Sequence, residues 1–210
     1  RYTLNTVATG VTNDITVTVP AGTARLRVML TWNDPAAAAN SALALINNLD
    51  LRVINGATTT LPWILDPNNP SASATKADDN ISNIEQVTID NPPAGTYTLS
   101  VIGEAVTTGP TQAYALTWDV EQAYIEIIYP NGGESLSPGA SEIITWDNAG
   151  VTANQTVEYS LDGSTNWINI GTVGASTTRL TWSVPAANTS TARVRVTSGA
   201  LTDMSDAGFK

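Results

Sequence analysis

Arg25-Leu26-Arg27-Val28-Met29-Leu30-Thr31-Trp32 is the stretch that decides the fold class. Leu26, Val28, Leu30 and Trp32 take every second position, with Arg25, Arg27 and Thr31 between them. Successive side chains of a β-strand point to opposite faces, so this order builds one buried face and one wet face. The same period continues on either side. Ile15, Val17 and Val19 alternate with Thr, and Leu49, Leu51 and Val53 alternate with Asn48, Asp50 and Arg52. Tyr97, Leu99 and Val101 follow the turn Pro92-Pro93-Ala94-Gly95, and Tyr114, Leu116, Trp118 and Val120 close the series. Short alternating strands separated by Pro, Gly and Asn predict an antiparallel sandwich or jelly roll. Asp34–Ile46, with Ala36 to Ala39 after Pro35, breaks the pattern and reads as a loop with at most one helical turn.

A second series begins near Ala123. Ile125, Ile127 and Tyr129 alternate until Pro130-Asn131-Gly132-Gly133 interrupts the chain. Strands are expected over Ile144–Trp146, Val157–Leu161, Trp167–Ile170, Leu180–Val184 and Arg193–Val196. That spacing suits an immunoglobulin- or fibronectin-III-like sandwich, without the cysteine pair of a true immunoglobulin domain. The expectation is an all-β chain of two antiparallel sandwiches: residues 1–122, jelly-roll-like, and residues 123–210, immunoglobulin-like.

Composition narrows the chemistry. Among 210 residues there is no His and no Cys. A Ser–His–Asp triad, a Cys–His pair and imidazole or thiolate metal sites are therefore impossible within this chain. Lys and Arg number 9 against 19 Asp and Glu, a net charge of −10, and no basic cluster offers a face to nucleic acid. No apolar run is long enough for a membrane-spanning helix. The chain starts at Arg1, so a signal peptide is expected upstream of it.

The acids that remain suit a hard, oxygen-ligated cation. Asn48-Leu49-Asp50-Leu51 and Asn83-Ile84-Glu85 each place one apolar side chain opposite two polar ones. If those strands are neighbours, Asn48, Asp50, Asn83 and Glu85 converge, with Asp79 and Asp78 just upstream and Asp34 and Asp66 at loop starts. Calcium takes six to eight such oxygens, and Asn48, Asp50, Asp79, Asn83 and Glu85 are the candidate ligands. The competing reading is a set of Asn and Asp side chains capping turns. A glycosidase pair of carboxylates is a third, although no cleft is evident in the sequence.

Trp32, Trp118, Trp146 and Trp182 are in phase with aliphatic neighbours and read as core. Trp63 and Trp167 sit beside turns, where a ring can stack on a sugar. Ser160-Leu161-Asp162-Gly163-Ser164-Thr165-Asn166-Trp167 approximates an Asp box, with Ser164 where Gly is usual, and reads as a structural hairpin clasp. The sequons at Asn80, Asn154 and Asn188 are of a frequency that chance explains.

Several motifs then occur in a fixed order: Leu30-Thr31-Trp32-Asn33-Asp34-Pro35, Asn48-Leu49-Asp50-Leu51-Arg52-Val53, Leu61-Pro62-Trp63-Ile64-Leu65-Asp66-Pro67, Asn83-Ile84-Glu85-Gln86-Val87 and Pro92-Pro93-Ala94-Gly95-Thr96-Tyr97. From Thr23 to Val120 this order resembles the C-terminal jelly-roll domain of secreted subtilisin-like serine proteases, a relative of the P domain of proprotein convertases. The resemblance implies a non-catalytic domain packed beside an upstream protease domain of the same polypeptide, supporting its stability, often with bound calcium. Residues 125–209, with Tyr129-Pro130-Asn131-Gly132-Gly133-Glu134 and Arg193-Val194-Arg195-Val196, resemble a bacterial extracellular sandwich module. Together the two resemblances imply a secreted or cell-surface protein. The alternative is a carbohydrate-binding or adhesion pair from another exported enzyme, in contact with polysaccharide.

Overall fold

The computed structural model describes residues 1–210 and contains strands without any helix, so no helix is present that could cross a membrane. Contacts divide the chain into two compact units, Arg1–Glu121 and Gln122–Lys210.

The first unit holds β1 (Tyr2–Val7), β2 (Thr12–Val19), β3 (Thr23–Trp32), β4 (Asn47–Asn55), β5 (Thr58–Thr60), β6 (Trp63–Ile64), β7 (Thr75–Lys76), β8 (Ile84–Asp90), β9 (Gly95–Val106) and β10 (Gln112–Gln122). Two four-stranded sheets form, in the orders β1-β10-β3-β8 and β2-β9-β4-β5, with β6 and β7 as a separate ribbon. Setting the ribbon aside, this is the strand order of a jelly roll. The core is the alternation made solid. Leu26, Val28, Leu30 and Trp32 from one sheet meet Leu49, Leu51, Val53, Leu99 and Val101 from the other, all buried. Each fully buried aliphatic side chain contributes roughly 1.5–3 kcal/mol of transfer free energy.

Gly103 is fixed by a close approach. A Cβ there would run into the carbonyl group of Ala8 and lie 3.3 Å from Val7 Cγ2. The peptide around it bonds on both sides, Gly103 N–H donating to Val11 O at 2.9 Å and Gly10 N–H to Gly103 O at 2.7 Å.

Asp34–Ile46 contains no helical turn. Ser41 N–H closes a turn onto Ala38 O at 3.1 Å. The Asp34 carboxylate accepts the N–H groups of Ile46 at 2.7 Å and Asn47 at 2.8 Å, tying the end of the loop to its beginning. Those bonds satisfy the amides at the end of the loop without a helix.

The second unit holds β11 (Tyr124–Tyr129), β12 (Ser141–Ala149), β13 (Gln155–Ser160), β14 (Ile168–Val173), β15 (Arg179–Ser183), β16 (Arg193–Ser198) and β17 (Leu201–Met204). Its sheets are β11-β12-β15 and β14-β13-β16-β17. Ile127, Ile144 and Trp146 pack against Val157, Val194 and Val196 between them. Gln155 is fully buried in this core. Its Oε1 accepts from Trp146 Nε1 at 2.8 Å, and its Nε2 donates to the carbonyls of Gly174 and Thr177 at 2.9 and 2.7 Å. One amide thereby supports both the tryptophan and the β14–β15 loop.

The Asp-box-like segment is a clasp. Asp162 Oδ1 accepts the N–H groups of Thr165 at 3.0 Å and Asn166 at 2.9 Å, together with the Ser160 hydroxyl at 2.7 Å. Those donors, led by the Asn166 N–H, hold the exposed carboxyl far below the usual carboxylate range. Ser164, in the glycine position, has φ of 90°.

Candidate cation site

The first unit carries a cluster of buried, partly unpartnered oxygens, and it arises from an unfinished sheet edge. β5 pairs only with Val53, Ile54 and Asn55 of β4. The N-terminal half of β4 therefore has an edge with no strand beside it, and its N–H groups need other acceptors. Glu85 of β8, a strand of the opposite sheet, supplies one: Leu51 N–H donates to Glu85 Oε2 at 2.6 Å. This contact crosses from one sheet to the other at the open side of the sandwich.

The sequence pattern places Ile84 inward and Glu85 outward, and the structure reverses this. Ile84 is 49 % exposed and Glu85 1 %. Glu85 is in phase with buried Val87, because the carboxylate has a backbone donor to meet and Ile84 lies at the strand's outer face. On β4 the expected phase is observed: Leu49 and Leu51 enter the core while Asn48 and Asp50 point away from it. A bulge between Asn48 and Leu49 interrupts the ladder with β9 there.

Segment Asp78–Asn83 lies against this edge and closes it. Asn48 Nδ2 donates to Asn80 Oδ1 at 2.8 Å. Arg52 Nη2 bridges Asp50 Oδ2 at 3.0 Å and Asp78 Oδ1 at 2.6 Å. Asp79 is buried, and its Oδ1 accepts the N–H groups of Ile81 at 2.9 Å and Ser82 at 3.0 Å. Asp50 is only 4 % exposed under this cover.

Three oxygens in the enclosure have no hydrogen-bond donor: Asn48 Oδ1, Asp50 Oδ1 and Glu85 Oε1. A buried acceptor without a partner costs about 1–3 kcal/mol, more for a charged group. Burial pushes the Glu85 carboxyl up to about 8, opposed by the Leu51 N–H and reinforced by Asp50 and Asp79. Asp50 is also raised, first by burial, with Arg52 pulling it down and Asp78 pushing it up. Arg52 is the cation that pairs with carboxylates of this cluster, through Asp50 and Asp78.

The five sequence-predicted residues are not equivalent. Asn48, Asp50 and Glu85 each carry a buried oxygen without a donor, and Asp50 lies near enough to Glu85 to act on its charge. Asp79 spends one oxygen on the turn. Asn83 is exposed, and its Nδ2 donates to Trp32 O at 2.8 Å, holding β8 to the end of β3. Asp34 and Asp66 serve loops; the latter accepts from Asn68 N–H at 2.8 Å. No three acidic side chains are grouped closely enough to hold an ion by themselves, and the set is two carboxylates and one amide. Arg52 is the contributor that spacing alone does not announce. It lies in the motif Asn48–Val53, but its pairing with Asp78 requires the loop to fold back.

A carboxylate pair for glycoside hydrolysis needs access to substrate. Asp50 and Glu85 are both closed off from solvent. The two turn tryptophans lie in different units and each carries a cation on its ring: Lys76 Nζ at 4.9 Å from the Trp63 centroid, Arg195 Cζ at 4.2 Å from that of Trp167. They form no row on a shared sheet face.

No curated protein matches the chain. Among solved structures, one match is the glycoside hydrolase domain of Endo-D from Streptococcus pneumoniae R6, at 11 % identity and a TM-score of 0.27. It covers 97 % of this chain, which spans about a third (32 %) of that one, and a superposition so loose says nothing about fold or activity. A family model is more informative. Residues 11–103, within the first unit, match the bacterial pre-peptidase C-terminal domain. From Val11 to Gly103 the chain is thus similar to a non-catalytic domain of secreted bacterial peptidases.

Proposed function

We propose that the two sandwiches are the C-terminal accessory region of a secreted subtilisin-like serine peptidase, stabilising or spacing its protease domain. The match of residues 11–103 to the pre-peptidase C-terminal domain carries this reading. A chain without His or Cys has no triad of its own, which agrees with a supporting role. The subtilisin type of the parent rests on the ordered motifs from Leu30 to Tyr97. The three-plus-four strand order of the second unit supports an immunoglobulin- or fibronectin-III-like extracellular module.

Calcium binding to the first sandwich belongs to the same reading. The residues fit a hard cation: Asn48 Oδ1, Asp50 Oδ1 and Glu85 Oε1 are buried acceptors lacking donors. Asp79 and Asn83 frame the site through the turn and the end of β3. A bound calcium ion would supply positive charge to two desolvated carboxylates, of which Asp50 has Arg52 on one oxygen and Glu85 has no ion pair. It would also join β4, β8 and the covering segment, which no other element pairs along that edge.

The test has two parts. The reading frame upstream of Arg1 is sequenced, and the peptidase is then produced with and without residues 1–210. The expected result is a subtilisin-type catalytic domain whose half-life at elevated temperature shortens when the region is removed. An upstream sequence with no serine-peptidase domain refutes the reading.

A further inference from the structure

We infer that Arg52 is a resident counter-cation: it lets the first sandwich fold without metal and, by its charge, limits how tightly the neighbouring site holds a divalent cation. This rests on the calcium reading above and adds to it a determinant of affinity.

The geometry divides Asp50 in two. Its Oδ2 is taken by Arg52 Nη2 at 3.0 Å, while its Oδ1 is buried without a partner, as are Asn48 Oδ1 and Glu85 Oε1. The same guanidinium nitrogen holds Asp78 Oδ1 at 2.6 Å, and Nη1 donates to Leu51 O at 3.2 Å. Arg52 thus joins β4 to the covering segment, the connection a bound ion would also make. Its side chain is 17 % exposed, so its charge is only partly screened.

The charge count explains why one resident cation is not enough. Arg52 bridges Asp50 and Asp78, Asp50 and Asp79 add to the negative field at Glu85, and Arg52 makes every ion pair that any of these four acids has. Elsewhere in the unit Arg25 pairs with Asp90, Arg27 with Asp119 and Glu121, and Lys76 covers the Trp63 ring. Arg52 offsets part of the repulsion and forms no ion pair with Glu85 or Asp79. A divalent ion at the three free oxygens completes the neutralisation, but it does so against the positive charge of Arg52. Like charges a few ångströms apart in a partly desolvated site oppose each other by at least about tenfold in affinity.

The measurement is calorimetric titration with calcium chloride, plus melting in chelator and in calcium, on residues 1–210 and the variants Arg52→Gln and Arg52→Lys. Arg52→Gln is expected to bind calcium about tenfold or more tightly, while its melting temperature in chelator falls. Arg52→Lys keeps the charge and stays within about threefold of the parent affinity. If Arg52→Gln is unfolded in chelator, refolding on adding calcium supports the inference and failure to refold overturns it. If the parent binds calcium and Arg52→Gln binds equally or more weakly, Arg52 is a structural brace alone and this inference fails while the calcium reading stands. If neither protein binds calcium, the calcium reading fails and takes this inference with it.

Discussion

Glu85→Gln separates the burden that the site places on the metal-free protein from what it provides to a cation. Glu85 has a carboxyl shifted from 4.5 to about 8 by burial, with Asp50 and Asp79 adding to the shift. The unfolded chain ionises this group near 4.5, whereas the fold keeps it protonated up to about 8. Between those values the native state binds more protons than the unfolded state, so metal-free stability falls as pH rises through the window and levels off beyond it. At pH 7 the penalty is about 3 kcal/mol, from roughly 1.4 kcal/mol per unit over the interval above 4.5. Gln keeps an oxygen for the Leu51 N–H and carries no ionisable group to be desolvated. Glu85→Gln is therefore expected to raise the melting temperature of the first unit in chelator at pH 7 by about 10 °C. It should flatten the pH dependence between 4.5 and 8 and shrink the calcium-induced shift. The assay is scanning calorimetry at several pH values in chelator and in calcium. A variant less stable than the parent in chelator at pH 7, with the pH slope intact, refutes the argument.

Other expectations follow from packing and hydrogen bonding. Gly103→Ala drives a Cβ into the Ala8 carbonyl group, a backbone obstacle that cannot rotate away, and should destabilise the first unit by about 2–3 kcal/mol or more in urea melts. Gln155→Leu leaves the Trp146 indole and the Gly174 and Thr177 carbonyls without their partner and should cost the second unit about 3 kcal/mol. An unchanged urea midpoint would show that water replaces the amide. Asp162→Asn should lower the melting temperature of the second unit at neutral pH. Because the native Asp162 carboxyl is held low, its contribution is present above the ordinary carboxylate range and fades as pH falls toward its native value. The gap between parent and variant should close in acid, and a pH-independent gap would mean that the charge is not what secures the clasp.

Much of the architecture is written locally. Leu26, Val28, Leu30 and Trp32 carry their own instruction, because a period of two leaves one face to bury whatever the neighbouring strand is. The Asp162 clasp is equally local, its donors lying within four residues. The absence of His and Cys excludes a triad without any reference to shape. The site required more. Asn48 and Asp50 show their phase because Leu49 and Leu51 are unambiguous core residues, but Asn83-Ile84-Glu85 offers one apolar residue between two polar ones and cannot say which face is inside. That choice was made at a distance: β5 stops pairing at Val53, the Leu51 N–H is left open, and a carboxylate from the other sheet turns inward to meet it. Local alternation determined which chemistry and which strands this chain possesses. Only the tertiary structure decided that Glu85, Asp50 and Arg52 face one another, because backbone groups without a ladder partner must find one wherever the fold brings it.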